Sequence, residues 1–339
     1  MKKLVFSALA LSATTATGLA SDSEWTSLDQ QIEALTSSLA VDNHGGPAIF
    51  GRIRTYYDNN SDADQGGWSV LNARLGAKGS VGDYSYKLQV DFAGVSPRLL
   101  DAYVDFPIGG QVMGRWGQFK ANVSHTALTS SGNLFFRNRS AVGALFSGRS
   151  QGFHIGGEFD MLDWGITIQN GSDGVTDELF TAGRISFDVL GSGSDMVEGA
   201  IGGTEEMSAT ASIAFFDDGG ADDSDGTLLE IHGGTNVYSF GLEILDLGDN
   251  VITSQGANQG LEGDSSPITL MGTYMLQPDA WELGIRYQDW DTSTDTSAIE
   301  IGVNNYLDGH NLKWQLQYTS VSDDVADADV ISIGLQAAF

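Results

Sequence analysis

The sequence predicts an all-β chain, a transmembrane antiparallel β-barrel of sixteen strands, and three observations predict it. The chain opens with a secretory leader. After that leader no apolar run is long enough for a membrane helix, which needs about 20 such residues. From residue 48 to the last residue, apolar and polar side chains alternate with a period of two, the spacing that places successive side chains on opposite faces of a strand.

Residues 1–20 read as a signal peptide. Lys2 and Lys3 form a positive start, Leu4 to Ala13 a brief apolar run, and Gly18-Leu19-Ala20 a small-residue cleavage site before Ser21. A transmembrane anchor is the competing reading, and the run is too short for it. Residues 21–46 change character. Trp25, Leu28, Ile32, Leu35 and Leu39 recur at spacings of three and four, one stripe of a short amphipathic helix. It is either a lone helix and linker or the seed of a coiled coil between subunits. Gly45-Gly46-Pro47 ends it, and residues 47–339 are expected to form the barrel.

The alternation is clearest where Tyr84, Tyr86, Leu88, Val90 and Phe92 interleave with Ser85, Lys87, Gln89 and Asp91. It recurs in Leu100-Ala102-Val104-Phe106, in Trp281-Leu283-Ile285-Tyr287, and in Leu312-Trp314-Leu316-Tyr318, where Lys313, Gln315 and Gln317 take the other face. A soluble sandwich also alternates, but aromatic residues at the ends of apolar strands favour a membrane barrel, whose interfaces they line. Ile331, Ile333, Leu335, Ala337 and Phe339 carry the pattern to the chain end. Short links fall near 81–83, 107–110, 161–162, 277–279 and 307–309, and long ones near 58–68, 120–151, 217–225, 247–266 and 320–328. They alternate between the two ends as periplasmic turns and extracellular loops should. A weak apolar segment, Met196 to Gly202, makes the count even only as part of a turn. Sixteen strands result, enough to enclose water.

Cysteine is absent and glycine abundant, with 44 residues, so a closed ladder of backbone hydrogen bonds has to supply what disulfides give other exported proteins. The formal net charge of −29 excludes nucleic acid as a partner. The charge is uneven. Eleven of the 16 Lys and Arg residues lie between Arg52 and Arg149, and Arg184, Arg286 and Lys313 alone follow.

Those early basic residues are the candidates for a channel. Arg52 and Arg54 share one strand face, Arg74 and Lys78 another, and Arg115 a third. The longest link, Lys120 to Gln151, is unlike a solvated loop. It holds Leu128, Leu134, Phe135, Phe136, Leu145 and Phe146, with Lys120, Arg137, Arg139 and Arg149. It is expected to fold into the lumen as a constriction, where its cations would favour anions; otherwise it docks on a neighbouring subunit. The wall cations either pass anions along a guanidinium track or pair with Asp91, Asp101 and Asp105 of the same wall.

Over residues 48–190 the chain resembles the phosphate-selective porin O and P family. The resemblance rests on Leu71-Asn72-Ala73-Arg74-Leu75-Gly76, Tyr86-Lys87-Leu88-Gln89-Val90-Asp91-Phe92 and Asp101-Ala102-Tyr103-Val104. It continues in Gly117-Gln118-Phe119-Lys120, Leu128-Thr129-Ser130-Ser131 and Arg137-Asn138-Arg139-Ser140. It implies a porin of the Gram-negative outer membrane, in contact with its lipid and lipopolysaccharide and usually trimeric. It also implies an inward third loop and passive passage of small solutes or anions such as phosphate. Arg74, Lys120, Arg137 and Arg139 sit in matching motifs. The acidic second half of the chain supplies almost no basic residue for an opposite wall.

Two other functions stay open: a cation-favouring or weakly selective porin, as the net charge suggests, and a non-conducting barrel serving as tether or adhesion platform. An enzyme is not expected. His44, His125, His154, His232 and His310 are scattered, no Gly-x-Ser-x-Gly appears, and no cofactor is implied. Asp217-Asp218 and Asp222-Asp223-Ser224-Asp225-Gly226 do not match an EF-hand and read as a solvated loop, so no metal ligand is assigned.

Overall fold

The computed structural model describes residues 46–171, 179–219, 224–252, 255–257, 259–325 and 327–339. Residues 1–45, on which the expected signal peptide and amphipathic helix fall, lie outside them, as do Asp222 and Asp223 of the acidic cluster.

Sixteen strands close into one antiparallel barrel. The first half holds β1 (Ala48–Asn60), β2 (Gln65–Val81), β3 (Tyr84–Asp91), β4 (Arg98–Gly109), β5 (Val112–Phe119), β6 (Ser150–Phe159), β7 (Leu162–Asn170) and β8 (Leu179–Leu190). The second holds β9 (Ser208–Asp218), β10 (Ser224–Gly234), β11 (Tyr238–Leu247), β12 (Ile268–Gln277), β13 (Trp281–Asp289), β14 (Ser297–Asp308), β15 (Leu312–Ser322) and β16 (Ala328–Ala338). Each pairs with its sequence neighbours, and β1 closes on β16. At that seam the last residue extends the ladder, with Gly51 N donating to Phe339 O at 3.0 Å and Phe339 N to Gly51 O at 3.1 Å. A Cβ on Gly51 would meet the Phe339 ring at 2.3 Å, so the ring lies against the glycine across the seam.

The period-two faces fall as expected. Tyr84, Leu88 and Phe92 are exposed on the outer wall, and so are Trp281, Leu283, Ile285, Trp314, Leu316, Ile331 and Ile333. Glu282, Arg286, Lys313, Gln315 and Gln317 between them are buried inside. One strand departs. Gln89 pairs with Asp101 and Val90 with Leu99, so Leu100 is the extra residue of a bulge and is buried, while Leu99 takes the outer position.

The links also correct the expectation in two places. Residues 58–68 are no long loop, because the β1–β2 ladder runs out to Asn60 and Gln65. The Asn60 side chain then accepts from Asp62 N and Ala63 N, each at 3.0 Å, an Asx turn that reverses the chain at once. At the opposite end Met196 to Gly202 is indeed no strand. Yet the segment 191–207 is no simple turn, for Val197 to Ile201 carry buried and half-buried side chains that reach the barrel interior.

Candidate permeation pathway

Residues 120–149, the third loop at the long-loop end, fold into the barrel. Two short helices organise them, α1 (His125–Leu128) and α2 (Ala141–Leu145). Each starts on a serine N-cap: Ser124 accepts from Ala127 N at 3.2 Å, and Ser140 from Gly143 N at 2.9 Å. Val123, Val142, Leu145 and Phe146 pack against Phe180, Ala182, Phe216, Leu228, Leu245 and Leu247 on the inner faces of β8 to β11. These inward apolar residues are the counterpart of the loop's own apolar content. Adjacent pairs such as Phe215-Phe216 and Leu228-Leu229 are their trace in the sequence, a strand apolar on both faces.

Beyond α1 the loop is bonded to the wall along its length. Gly132 O accepts from Gln336 (2.9 Å), Leu134 O from Lys313 (2.6 Å) and Phe135 O from Gln315 and Asn304 (2.8 and 2.9 Å). Arg137 N donates to Gln317 at 2.8 Å, and Ala141 N to Gln288 at 2.7 Å. From the other end of the barrel, Glu198 N donates to Asn133 O at 2.9 Å, and the Glu198 carboxylate accepts from Phe135 N at 3.1 Å. Ala200 N reaches Glu282 at 2.6 Å. Loop and inward turn together occupy the lumen along β8 to β15, leaving a smaller cavity of about 200 Å³ beside Gly199, His232, Phe240 and Met271. In doing so they cover Glu198, Glu230, Glu243, Glu282 and Glu300, all buried.

Open space remains along β1 to β7. A cavity of about 530 Å³ is lined by Arg52, Arg74, Lys78, Lys87, Arg115, Lys120 and Arg149, with Asp101 the one acidic side chain on its wall. The opposite side is Leu128, Ser130, Ser131 and Asn133 of the third loop. A second cavity of about 690 Å³ lies beside it and shares Arg115, Phe119, Lys120 and Leu128.

The expected pairing with wall carboxylates is present. Arg74 lies 2.8 Å from Asp91, Arg115 2.6 Å from Asp105, and Asp101 takes both Lys87 (2.7 Å) and Arg149 (3.1 Å). Arg115 also stacks 4.0 Å over the Tyr103 ring. Arg52 instead donates to the hydroxyls of Ser130 and Ser131 at 2.9 and 2.7 Å, tying the loop's tip to the wall. Burial, with Arg139, Arg149 and Arg74 nearby, holds the Lys120 ammonium well below its usual range.

Three of the candidate cations stand elsewhere. Arg54 is buried, donating to Tyr56 Oη at 2.7 Å and Arg137 O at 2.8 Å. Arg137 faces Asp58 at 2.7 Å. Arg139 donates to the Thr126 carbonyl at 3.0 Å and to that of Thr129. All three hold the loop in place and line neither cavity. Lys87 joins the chamber without having been singled out, although its place opposite Tyr86 and Leu88 marked it as inward.

No curated protein matches the chain. Solved structures do match its fold. An anion-selective porin from Comamonas acidovorans is 13% identical, with a TM-score of 0.61 over 87% of this chain and 100% of that one. A loop-deletion mutant of OmpT, an outer-membrane protein of Vibrio cholerae, is 12% identical at a TM-score of 0.60, covering 88% and 100%. OprB from Pseudomonas putida is 9% identical at a TM-score of 0.60, covering 91% and 97%. At these identities the likeness is one of fold. The sequence match is regional: residues 47–193, which carry β1 to β8, match phosphate-selective porin O and P. Residues 47–193 thus match the phosphate-selective porin O and P family, and the closed sixteen-strand barrel has the fold of outer-membrane porins.

Proposed function

We propose that the protein is a passive outer-membrane channel for small solutes and that its open half favours anions. The basic chamber carries this reading. Seven basic side chains line it, against the three carboxylates, Asp91, Asp101 and Asp105, that pair with them. In a narrow passage with low-dielectric walls such an excess raises the local concentration of anions. The buried glutamates of the second half face loop and turn atoms rather than this chamber, whereas Asp105, Glu158, Asp160 and Asp163 line the adjoining cavity, so the anion preference is set at the chamber. Among the structural matches, the Comamonas acidovorans protein is described as anion-selective, which is consistent with this reading. Arg and Lys repeated around one cavity suit phosphate or carboxylate groups, the guanidinium fork meeting their oxygens in pairs.

The test is the zero-current potential across a KCl gradient, for the wild type, for Arg52→Ala/Lys78→Ala, and for Arg137→Ala/Arg139→Ala. Chloride preference in the wild type, lost in the chamber pair, is expected. The loop pair should change current noise more than selectivity. Potassium preference in the wild type, or no conductance at all, sinks the proposal.

A porin's role in transport also leaves little place for catalysis, and we read the chain as a channel rather than an enzyme. Export by the leader, a homotrimeric state, and contact with lipid and lipopolysaccharide through the apolar outer wall complete the proposal. Cross-linking of the folded protein in detergent, giving a triple-mass band, checks the assembly.

A further inference from the structure

Behind the third loop the wall holds a cluster that transport does not use. Glu230 and His232 stand two residues apart on β10, hence on one face, and Glu243 lies directly across from Glu230 on β11. All three point inward and are buried, and one donor atom from each lies within 4.8 Å of the others. Gly241, opposite His232, leaves room for the ring, since a Cβ there would meet its Nδ1 at 2.8 Å. The ring stacks on His125 with centroids 4.1 Å apart.

Two observations point to a ligand. First, His232 Nε2 is buried without a hydrogen-bond partner and stands 4.0 Å from Glu230 Oε1. The adjoining void, bounded by Glu198, His232, Glu243 and Arg286, does not admit a water-sized sphere. A bare ion is much smaller. Second, like charges directly opposite on paired strands repel, and buried charge needs compensation. Glu198, Glu230 and Glu243 converge here, and Arg184 is the one guanidinium among the described residues hydrogen-bonded to any of them, 3.3 Å from Glu230 Oε2. A Glu198 oxygen also lacks a partner.

We propose that Glu230, His232 and Glu243 bind a divalent ion of the zinc class inside the barrel wall. One imidazole with carboxylate oxygens is a donor set that borderline divalent metals accept. Donors around a tetrahedral ion stand about 3.4 Å apart when each bond is about 2.1 Å, so small side-chain rotations close the site. Its purpose is mechanical. Glu230 already accepts from His125 N at 2.9 Å, and Glu243 accepts from the Ser140 hydroxyl. An ion that fixes both carboxylates therefore fixes the starts of α1 and α2, and with them the constriction.

The experiment uses the full, folded protein in detergent, stripped with chelator and titrated with Co²⁺. One equivalent with visible d–d absorption, displaced by Zn²⁺, is expected. His232→Gln should lose the absorption while keeping the heat-modifiable gel mobility of a folded barrel, and His154→Gln should retain it. No stoichiometric uptake by the wild type, or unchanged uptake by His232→Gln, overturns the proposal. Should His232→Gln fail to fold, X-ray absorption of the Zn²⁺-loaded wild type decides. One imidazole among oxygen donors is expected, and a shell without imidazole overturns the site. Neither readout depends on ion passage, so the site and the channel can fail separately.

Discussion

Among single residues, those that shape the pathway act through position as much as charge. Lys120 lines both cavities, and burial with neighbouring guanidiniums lowers its proton affinity. A lysine so placed carries its charge at low pH and loses it as pH rises through the lowered value. Anion preference should therefore decline with rising pH, through a transition below the ordinary lysine range, and Lys120→Met should remove that transition. Zero-current potentials from pH 5 to 10 check it. Gly284 and Gly302 are paired across β13 and β14 and form the seat of Phe135, whose ring a Cβ on Gly284 would meet at 2.4 Å. Gly284→Val should unseat the loop at a cost of about 1–3 kcal/mol, seen as a lower midpoint of thermal unfolding and noisier single-channel current.

For the elements, the third loop behaves as a piece of core. Leu145 is fully buried between loop and wall, and Leu145→Ala should cost about 2–5 kcal/mol through the cavity it leaves. Thermal unfolding monitored by gel mobility measures this. The inward turn supports the loop from the other end through Glu198 and Ala200. Replacing residues 194–203 by a short turn should raise single-channel conductance and its fluctuations, because one of the two plugs of the second half is gone. Unchanged conductance would mean that the third loop fills that half alone.

For the whole barrel, the division into an open half with a basic chamber and a covered half decides how the charge acts. A net charge of −29 suggests a cation channel, yet the lumenal glutamates of β10 to β14 are buried under the loop. The chamber's surplus of basic groups is exposed to water, so its effect is screened. The Debye length falls from about 10 Å at 0.1 M salt to about 3 Å at 1 M. Chloride preference should shrink accordingly when the same gradient ratio is measured at higher mean salt.

Period-two alternation, the chain-end phenylalanine and the spacing of the links were enough to write the barrel and its strand number from sequence. They are local signals: side-chain direction on a strand is fixed by the backbone itself. The apolar content of residues 120–151 likewise announced that this loop must bury something. Which cations face water was not legible. Arg52 and Arg54 alternate identically on β1, yet one lines the chamber and the other is covered by Arg137. The meeting of His125, Glu230, His232 and Glu243 depends on strand register, which sets Glu230 across from Glu243, and on where the loop lands, which joins residues 105 positions apart. What the sequence determined is what neighbouring residues determine between them: strand, face, turn and count. Only the tertiary structure decided which half of the lumen is covered, because that follows from long-range packing of the loop on apolar patches of β8 to β11 and of the inward turn on Met275 and Tyr306 of β12 and β14, and no local period records it.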